Sequence, residues 1–368
     1  MIPLSPKEIA IRIAKRILGE DRVHDHLIER GIKLRHLRDG YENYSENRDD
    51  GDSRQTLIFM ADGKWMHGGL TDRLRGMTSA YKFAKEHNLD FKIYHTSPFE
   101  LQEILQPNNV KWVIGEKEIS RNCEVAKPVL LYREDFNNDS ALERQIDSKH
   151  KQFHLYSCVD TVGEDFSKYF NELFKPSPIL EQEISHYSEL LGESYTAISF
   201  RFQNKLGDFK EFSFKELPEK GKHKLMNAAI NVLRKEMPHQ VRHDSSNAKV
   251  LHDSSDTTLS CPPASGHHPL VNEMNKTLVT ADSPTFLAAV ENIPNVVTVK
   301  GKSIHIDFNS SKNATDYLKA FTEFFLISKA TKAKLYRNRK YKTYPSNFPK
   351  YAALLGHVPY EIVEDIKA

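Results

Sequence analysis

The segment Ile198-Ser-Phe-Arg-Phe-Gln-Asn-Lys-Leu-Gly-Asp-Phe209 is an apolar, strand-like run that delivers one arginine, Arg201, to its carboxyl end, with Asp208 and Glu211 close behind. In α/β proteins ligands bind at the carboxyl ends of strands, and a guanidinium placed there can grip a phosphate through paired N–H donors. An ordinary surface ion pair is the plainer reading of the same residue. Gly68 and Gly69 stand in a turn-rich loop between a predicted strand and a predicted helix. Backbone N–H groups and the helix amino end can face an anion in such a loop, although the glycines could simply permit a tight turn. Asp72 falls just inside that helix, where a carboxylate is also favoured by the helix dipole.

These residues need elements to hold them. Gln55–Met60 reads as a strand, Leu70–His87 as a helix through Leu70, Leu74, Met77, Ala80, Tyr81 and Ala84, and Phe91–His95 as a second strand, which together make a βαβ unit. The glycine loop lacks the spacing of G-x-G-x-x-G and of the P-loop, so it supports neither a dinucleotide fingerprint nor an NTPase. Short strands are expected at Val110–Ile114, Val129–Tyr132 and Phe153–Tyr156, then helices at Phe166–Phe174 and Ile179–Leu191 before the Arg201 strand. Beyond it come a helix at Leu225–Lys235, a strand at Thr277–Thr280, and a helix start in which Asp282 or Ser283 can act as N-cap with Pro284 behind. A strand at Asn295–Val299, a Phe-rich helix at Tyr317–Ala330, a last short strand at Ala333–Tyr336 and a closing helix at Ser346–Leu355 complete the order. Strand and helix alternate throughout, which predicts an α/β chain of two doubly wound domains.

Composition narrows the function classes. The 368 residues carry 52 Lys+Arg against 50 Asp+Glu, a formal charge of +2, so no nucleic-acid partner is expected. Cys123, Cys158 and Cys261 lie far apart with no C-x-x-C pairing, which predicts neither a disulfide framework nor a zinc site and suits a reducing cytoplasm. No apolar run is long enough to cross a bilayer. From Ser5 to about Leu37, Ile9, Ile13 and Ile17 recur at helical spacing among Lys7, Arg12, Lys15 and Arg16. A basic amphipathic helix of this kind either packs on its own domain or gives peripheral contact with an anionic membrane. Tyr41–Arg54 is polar and reads as a loop. Met237–Met274, crowded with His, Ser, Asp and Pro, reads as a disordered insertion, and its histidines show no regular metal-ligand spacing. The predicted domains are a helical extension and loop over 1–54, a first Rossmann-like domain over 55–178, and a second over 179–368 that carries the insertion at 237–274.

Four blocks in order resemble the fucosyltransferase superfamily of GT-B glycosyltransferases, which includes the α1,6-fucosyltransferases and protein O-fucosyltransferases. The likeness is strongest to bacterial polysaccharide-associated members. The blocks are His67-Gly-Gly-Leu-Thr-Asp-Arg-Leu-Arg-Gly-Met77, Ile198–Phe209, Val279-Thr-Ala-Asp-Ser-Pro-Thr-Phe-Leu287, and the stretch from Glu323 to the Ser346-Asn-Phe-Pro-Lys-Tyr-Ala-Ala353 terminus. The likeness covers roughly residues 55 to 360, with the His/Ser-rich insertion unmatched. It implies a GT-B-like fold with the two domains facing across a cleft, and an inverting, metal-independent transfer of fucose or a related sugar from a GDP donor to a glycan hydroxyl. No cofactor is implied, the GDP-sugar being a co-substrate.

The resemblance also implies roles. Arg201 would hold the donor pyrophosphate and stabilise the charge that develops on the leaving diphosphate. Glu323 would accept from the ring N–H and exocyclic amine of guanine, its alternative being a solvated helix residue. His67, Gly68, Gly69, Asp72, Arg73, Asp282, Ser283, Ser346, Asn347 and Phe348 would contribute to donor binding, Ser346 at a helix amino end where an N-cap alone would be unremarkable. Asp208 or Glu211 would deprotonate the acceptor hydroxyl, although Gly207 beside Asp208 also fits a simple turn. The family's H-x-R histidine is Ser199 here, and the second arginine of the α1,6-enzymes is Phe202, which puts identical donor geometry in doubt. The implied acceptor is a glycan or lipid-linked oligosaccharide in surface-polysaccharide synthesis on the cytoplasmic side. A UDP donor on the same architecture, and an inactive transferase-derived binding protein, are the competing readings.

Overall fold

A computed structural model describes residues 29–42, 54–131, 139–211, 215–237 and 276–365. The expected insertion over 237–274 lies outside the described residues apart from Met237, and of the expected amino-terminal helix only Glu29–Arg38, here α1, is described. No helix among the described residues is long and apolar enough to cross a membrane.

The first lobe is built from β1 (Thr56–Ala61), α2 (Leu70–Glu86), β2 (Asp90–His95), β3 (Leu105–Pro107), β4 (Ala126–Leu130), α3 (Asp139–Glu143), β5 (Gln152–Tyr156), α4 (Phe166–Leu173) and β6 (Phe174–Pro176). Its sheet is parallel in the order β2-β1-β5-β4, with Thr56 opposite Asp90 on one side and Gln152 on the other. β3 and β6 pair apart from it as a short antiparallel ribbon. β1 is a run of apolar residues because both of its faces are covered, as in parallel sheets generally. Leu57 and Phe59 pack with α2, while Ile58 and Met60 join Leu37 of α1 on the opposite face. α2 lies close to the sheet at Gly76, where a Cβ would stand 2.5 Å from the Ser157 carbonyl oxygen.

The second lobe comprises α5 (Pro178–Leu191), β7 (Tyr195–Phe200), α6 (Glu219–Glu236), β8 (Lys276–Ala281), α7 (Pro284–Val290), β9 (Val296–Val297), α8 (Leu318–Ile327), β10 (Lys332–Arg337), α9 (Phe348–Gly356) and β11 (Tyr360–Glu364). Its five strands are parallel in the order β11-β10-β7-β8-β9. Alternate residues of β7 serve different cores. Tyr195 and Ala197 face the layer of α5 and α8, whereas Ile198 and Phe200 face that of α6 and α7. Both sheets are therefore doubly wound. From β7 the chain moves outward through β8 and β9 and then returns to the other side with β10 and β11, so β7 and β10 flank the switch point where α/β sheets bind ligands.

The two lobes share one apolar core in which Phe166 and Phe170 of α4 meet Phe324 of α8 and Tyr351 of α9. Aromatic side chains of this size remove more apolar surface from water than any others, so this seam fixes how the lobes meet. Above it the carboxyl ends of β7, β8 and β10 face the glycine loop of the first lobe across a cleft of about 550 Å³. This is the predicted architecture of two Rossmann-like lobes facing across a cleft.

Two local expectations are corrected, the strand at Val110–Ile114 and the place of Ala333–Tyr336 as the last strand. Val110–Ile114 forms no strand, because Val113 makes a single bridge to Ile93 while Trp112 turns inward and donates its Nε1–H to the Leu173 carbonyl at 2.8 Å. The ribbon of β3 and β6 and the terminal strand β11 were not anticipated, so Lys332–Arg337 is not the last strand.

Candidate functional site

Arg201 leaves the carboxyl end of β7 and enters the cleft, its side chain 19% exposed. One guanidinium nitrogen lies 2.7 Å from Glu211 Oε2 and the other 3.1 Å from Asp282 Oδ2, while the group rests over the Phe209 ring at 4.9 Å. Asp282 follows β8 and is the organiser of this corner. Besides Arg201 it accepts the backbone N–H groups of Phe202 at 2.9 Å and Gln203 at 2.7 Å. Burial pushes its pKa up, with Arg201 and the two N–H groups opposing.

The wall from the first lobe is the glycine loop. Gly68 has φ +91°, and a Cβ there would come within 2.5 Å of Asp72 Oδ2, so only glycine fits this turn into α2. Both loop N–H groups already have protein acceptors. Gly69 donates to Asp72 Oδ2 at 3.0 Å, and Gly68 donates to Asp307 Oδ2 of the second lobe. Asp72 is also paired with Arg75, and burial pushes its pKa up. Asp307 Oδ1 meets Arg73 Nη2 at 2.6 Å, both side chains being almost fully buried, so one carboxylate ties the loop and α2 to the opposite lobe.

Beside it stands His305, which lines the cleft. Its Nδ1 accepts the Asp307 N–H at 3.2 Å, which leaves the proton on Nε2 in the neutral ring. Burial, reinforced by Arg201 and Arg73, lowers its pKa to about 3, so at neutral pH it is an uncharged N–H donor. The floor belongs to α8, where Glu323 and Lys319 form a buried ion pair and burial pushes the Glu323 pKa up. The remaining side is the start of α9, lined by Ser346, Asn347 and Phe348, with Ser346 Oγ accepting the Phe348 N–H at 3.2 Å. Met66 and Tyr344, two of the more exposed large apolar side chains, stand at its edge.

The structure thus brings together Gly68, Gly69, Asp72, Arg201, Glu211, Asp282, Glu323, Ser346, Asn347 and Phe348. Four of the residues named from the sequence do not line the cleft. His67 is buried between Phe59 and Trp65, with Nδ1 on the Ser157 carbonyl, and desolvation keeps its pKa well below the usual value. Arg73 is spent on Asp307, His95 and the Ser97 carbonyl. Ser283 caps α7 by accepting the Phe286 N–H, and it donates to Asp208 Oδ2 at 2.6 Å. Asp208 also accepts the Thr285 N–H at 2.9 Å, so its carboxylate secures a helix start. Glu211 is then the acid of that segment that faces the cleft.

Sequence reasoning missed His305, Asp307, Lys319 and Gln203. The partners Arg73 and Asp307 lie 234 residues apart, and no periodicity marks the loop that carries the aspartate. For Lys319, the i, i+4 spacing to Glu323 was the available signal.

No family model matches this chain, and no curated protein matches it in sequence. Among solved structures it is similar to the fucosyltransferase NodZ from Bradyrhizobium, at 14% identity over 85% of this chain and 95% of that one, with a TM-score of 0.47. It is similar to a variant of Arabidopsis thaliana FUT1 in complex with GDP at 12% identity, covering 98% of this chain and 79% of that one, with a TM-score of 0.48. Similarity to POFUT1 in complex with GDP is 9% identity over 85% of this chain and 99% of that one, with a TM-score of 0.40.

Proposed function

We propose that the cleft binds a GDP-sugar and that the protein transfers fucose or a related sugar to a glycan hydroxyl, with inversion and without a metal. The observation that carries this reading is Arg201, a guanidinium held at the switch point of the second sheet and facing a cleft into which the amino ends of α2 and α9 also open. A leaving diphosphate gains charge as the glycosidic bond breaks, and a preorganised guanidinium stabilises that charge without waiting for solvent to reorganise. The motif likeness in the four sequence blocks supports the same assignment.

The charge arrangement supports an order of events. Asp282 is anchored by two backbone N–H groups in addition to Arg201, whereas Glu211 has the guanidinium as its ion-pair partner. A diphosphate arriving at Arg201 therefore displaces Glu211 rather than Asp282. The released carboxylate is then free to take the proton of an acceptor hydroxyl, as a general base must. The Nε2–H of His305 is available to a phosphate or sugar oxygen nearby.

A UDP donor remains the second reading, favoured by one observation: the Glu323 carboxylate that would select guanine is already paired with Lys319. The test is turnover of GDP-fucose and UDP-sugars by the wild type and Arg201→Ala. The reading expects GDP release from GDP-fucose that the substitution abolishes. Turnover of UDP-sugars alone would move the assignment to the second reading, and no turnover of any donor would leave a binding protein.

A further inference from the structure

Gln203 combines two unfavourable features. Its φ is +58°, in the left-handed region that residues other than glycine rarely adopt. Its side-chain Oε1 is buried and has no hydrogen-bond partner among the described residues, although the residue is 1% exposed and lines the cleft. A strained backbone and an unsatisfied buried acceptor each cost stability, and where both persist on one residue at the wall of a ligand-sized cavity they mark a preorganised contact.

The chemistry of that contact follows from its surroundings. The Gln203 N–H is held by Asp282, the same carboxylate that holds Arg201, so the amide is aimed from a point two residues beyond the phosphate grip. A free amide oxygen accepts and cannot pair with a phosphate oxygen; it needs an N–H or O–H from the ligand. Being neutral, it fills that need beside Arg201 without adding a charge that would repel a diphosphate. In a nucleotide sugar two hydroxyl-bearing groups flank the diphosphate, the ribose and the transferred sugar, and GDP, which carries only the ribose, tells them apart.

We propose that Gln203 is a specificity-determining contact to the transferred sugar, its amide oxygen accepting from a ring hydroxyl. This rests on the reading of the cleft as a nucleotide-sugar site. The substitution Gln203→Met keeps length and shape while removing the amide. Calorimetric titration of the wild type and the variant with GDP and with GDP-fucose tests it, together with the Tm of the free proteins. The proposal expects GDP-fucose affinity to fall about 5–20-fold, the usual consequence of losing one hydrogen bond that fills a buried acceptor. GDP affinity stays within about twofold, and Tm is unchanged or higher because the unsatisfied acceptor is gone. Equal losses for both ligands, a retained preference for GDP-fucose, or a wild type that binds the two equally would overturn it. A wild type that binds neither removes the nucleotide reading and this inference with it. Should Gln203→Met fail to fold, Gln203→Asn, which suits a left-handed backbone and draws the amide back by one methylene, must show the same selective loss.

Discussion

Replacing Asp282 by asparagine alters the corner that holds Arg201 while hardly changing its shape. The carboxylate accepts from Phe202 N on one oxygen and from Gln203 N and Arg201 on the other. Asparagine keeps one acceptor, so one backbone N–H remains paired. Its amide NH2 then faces the other N–H, donor against donor, and the guanidinium contact weakens because the side chain no longer carries a charge. A stranded buried N–H costs about 1–3 kcal/mol. The weakened guanidinium contact adds less, because Arg201 is partly exposed and keeps Glu211. The loss comes to roughly 2–4 kcal/mol. With a urea slope of about 2–3 kcal/mol per M, the unfolding midpoint falls by about 1 M. Hydrogen exchange read by mass spectrometry should quicken in peptides that contain Phe202 and Gln203 while the β1 and β5 peptides are unaffected. A midpoint within about 0.2 M of wild type, with exchange at Phe202 and Gln203 unchanged, would refute the assignment of Asp282 as organiser.

Asp208 and Glu211 should separate cleanly. Asp208→Ala removes the acceptor for Ser283 and Thr285 at the start of α7 and costs about 1–2 kcal/mol in urea unfolding, yet leaves donor turnover within a few-fold. Glu211→Gln lowers kcat by about two orders of magnitude or more while donor affinity holds or rises, because Arg201 loses a competing carboxylate. Acid sensitivity has a definite sign. His154 is fully buried, accepts from the Tyr41 hydroxyl at Nδ1, and has its pKa lowered to about 3 by burial. Below the usual value near 6.5 the unfolded chain binds the proton that the folded one refuses, so this contribution is present at neutral pH and is lost as pH falls toward 3. Between pH 7 and pH 5 the wild type should lose about 2 kcal/mol more stability than His154→Gln; identical losses in the two proteins would mean that the ring is not held neutral.

The alternation of strand and helix, the apolar strands β1, β7 and β8, and the helix from Leu70 were legible because each is set by local periodicity and flanking turns. The start of α7 left Asp282 and Ser283 equally eligible, and the structure gives the cap to Ser283 because Asp282 reaches back to the β7 loop. β11 escaped notice because its five residues are all at least partly exposed and follow Pro359 near the chain end, with no buried face to impose a pattern. The ribbon of β3 and β6 joins two tripeptides about seventy residues apart in sequence, too short for any periodicity to register. The site divides along the same line. Residues that end a strand or begin a helix could be placed from the sequence, as with Arg201 and Ser346. Residues whose meaning depends on a distant partner could not. Arg73 sits inside a motif that suggested ligand binding, and only the approach of Asp307 shows that its charge is already matched. His305 and Gln203 stand at the starts of short 3-10 turns, where no sequence period gives direction to a side chain.

Under the proposed function, Arg201 grips the diphosphate of a guanosine nucleotide. Calorimetric titration of GDP and UDP into the wild type and Arg201→Ala measures it directly. GDP is expected to bind the wild type more tightly than UDP, and Arg201→Ala to lose at least tenfold in GDP affinity, the scale of a charge-assisted bidentate contact. Equal GDP binding by the wild type and the variant, or tighter binding of UDP, would contradict it.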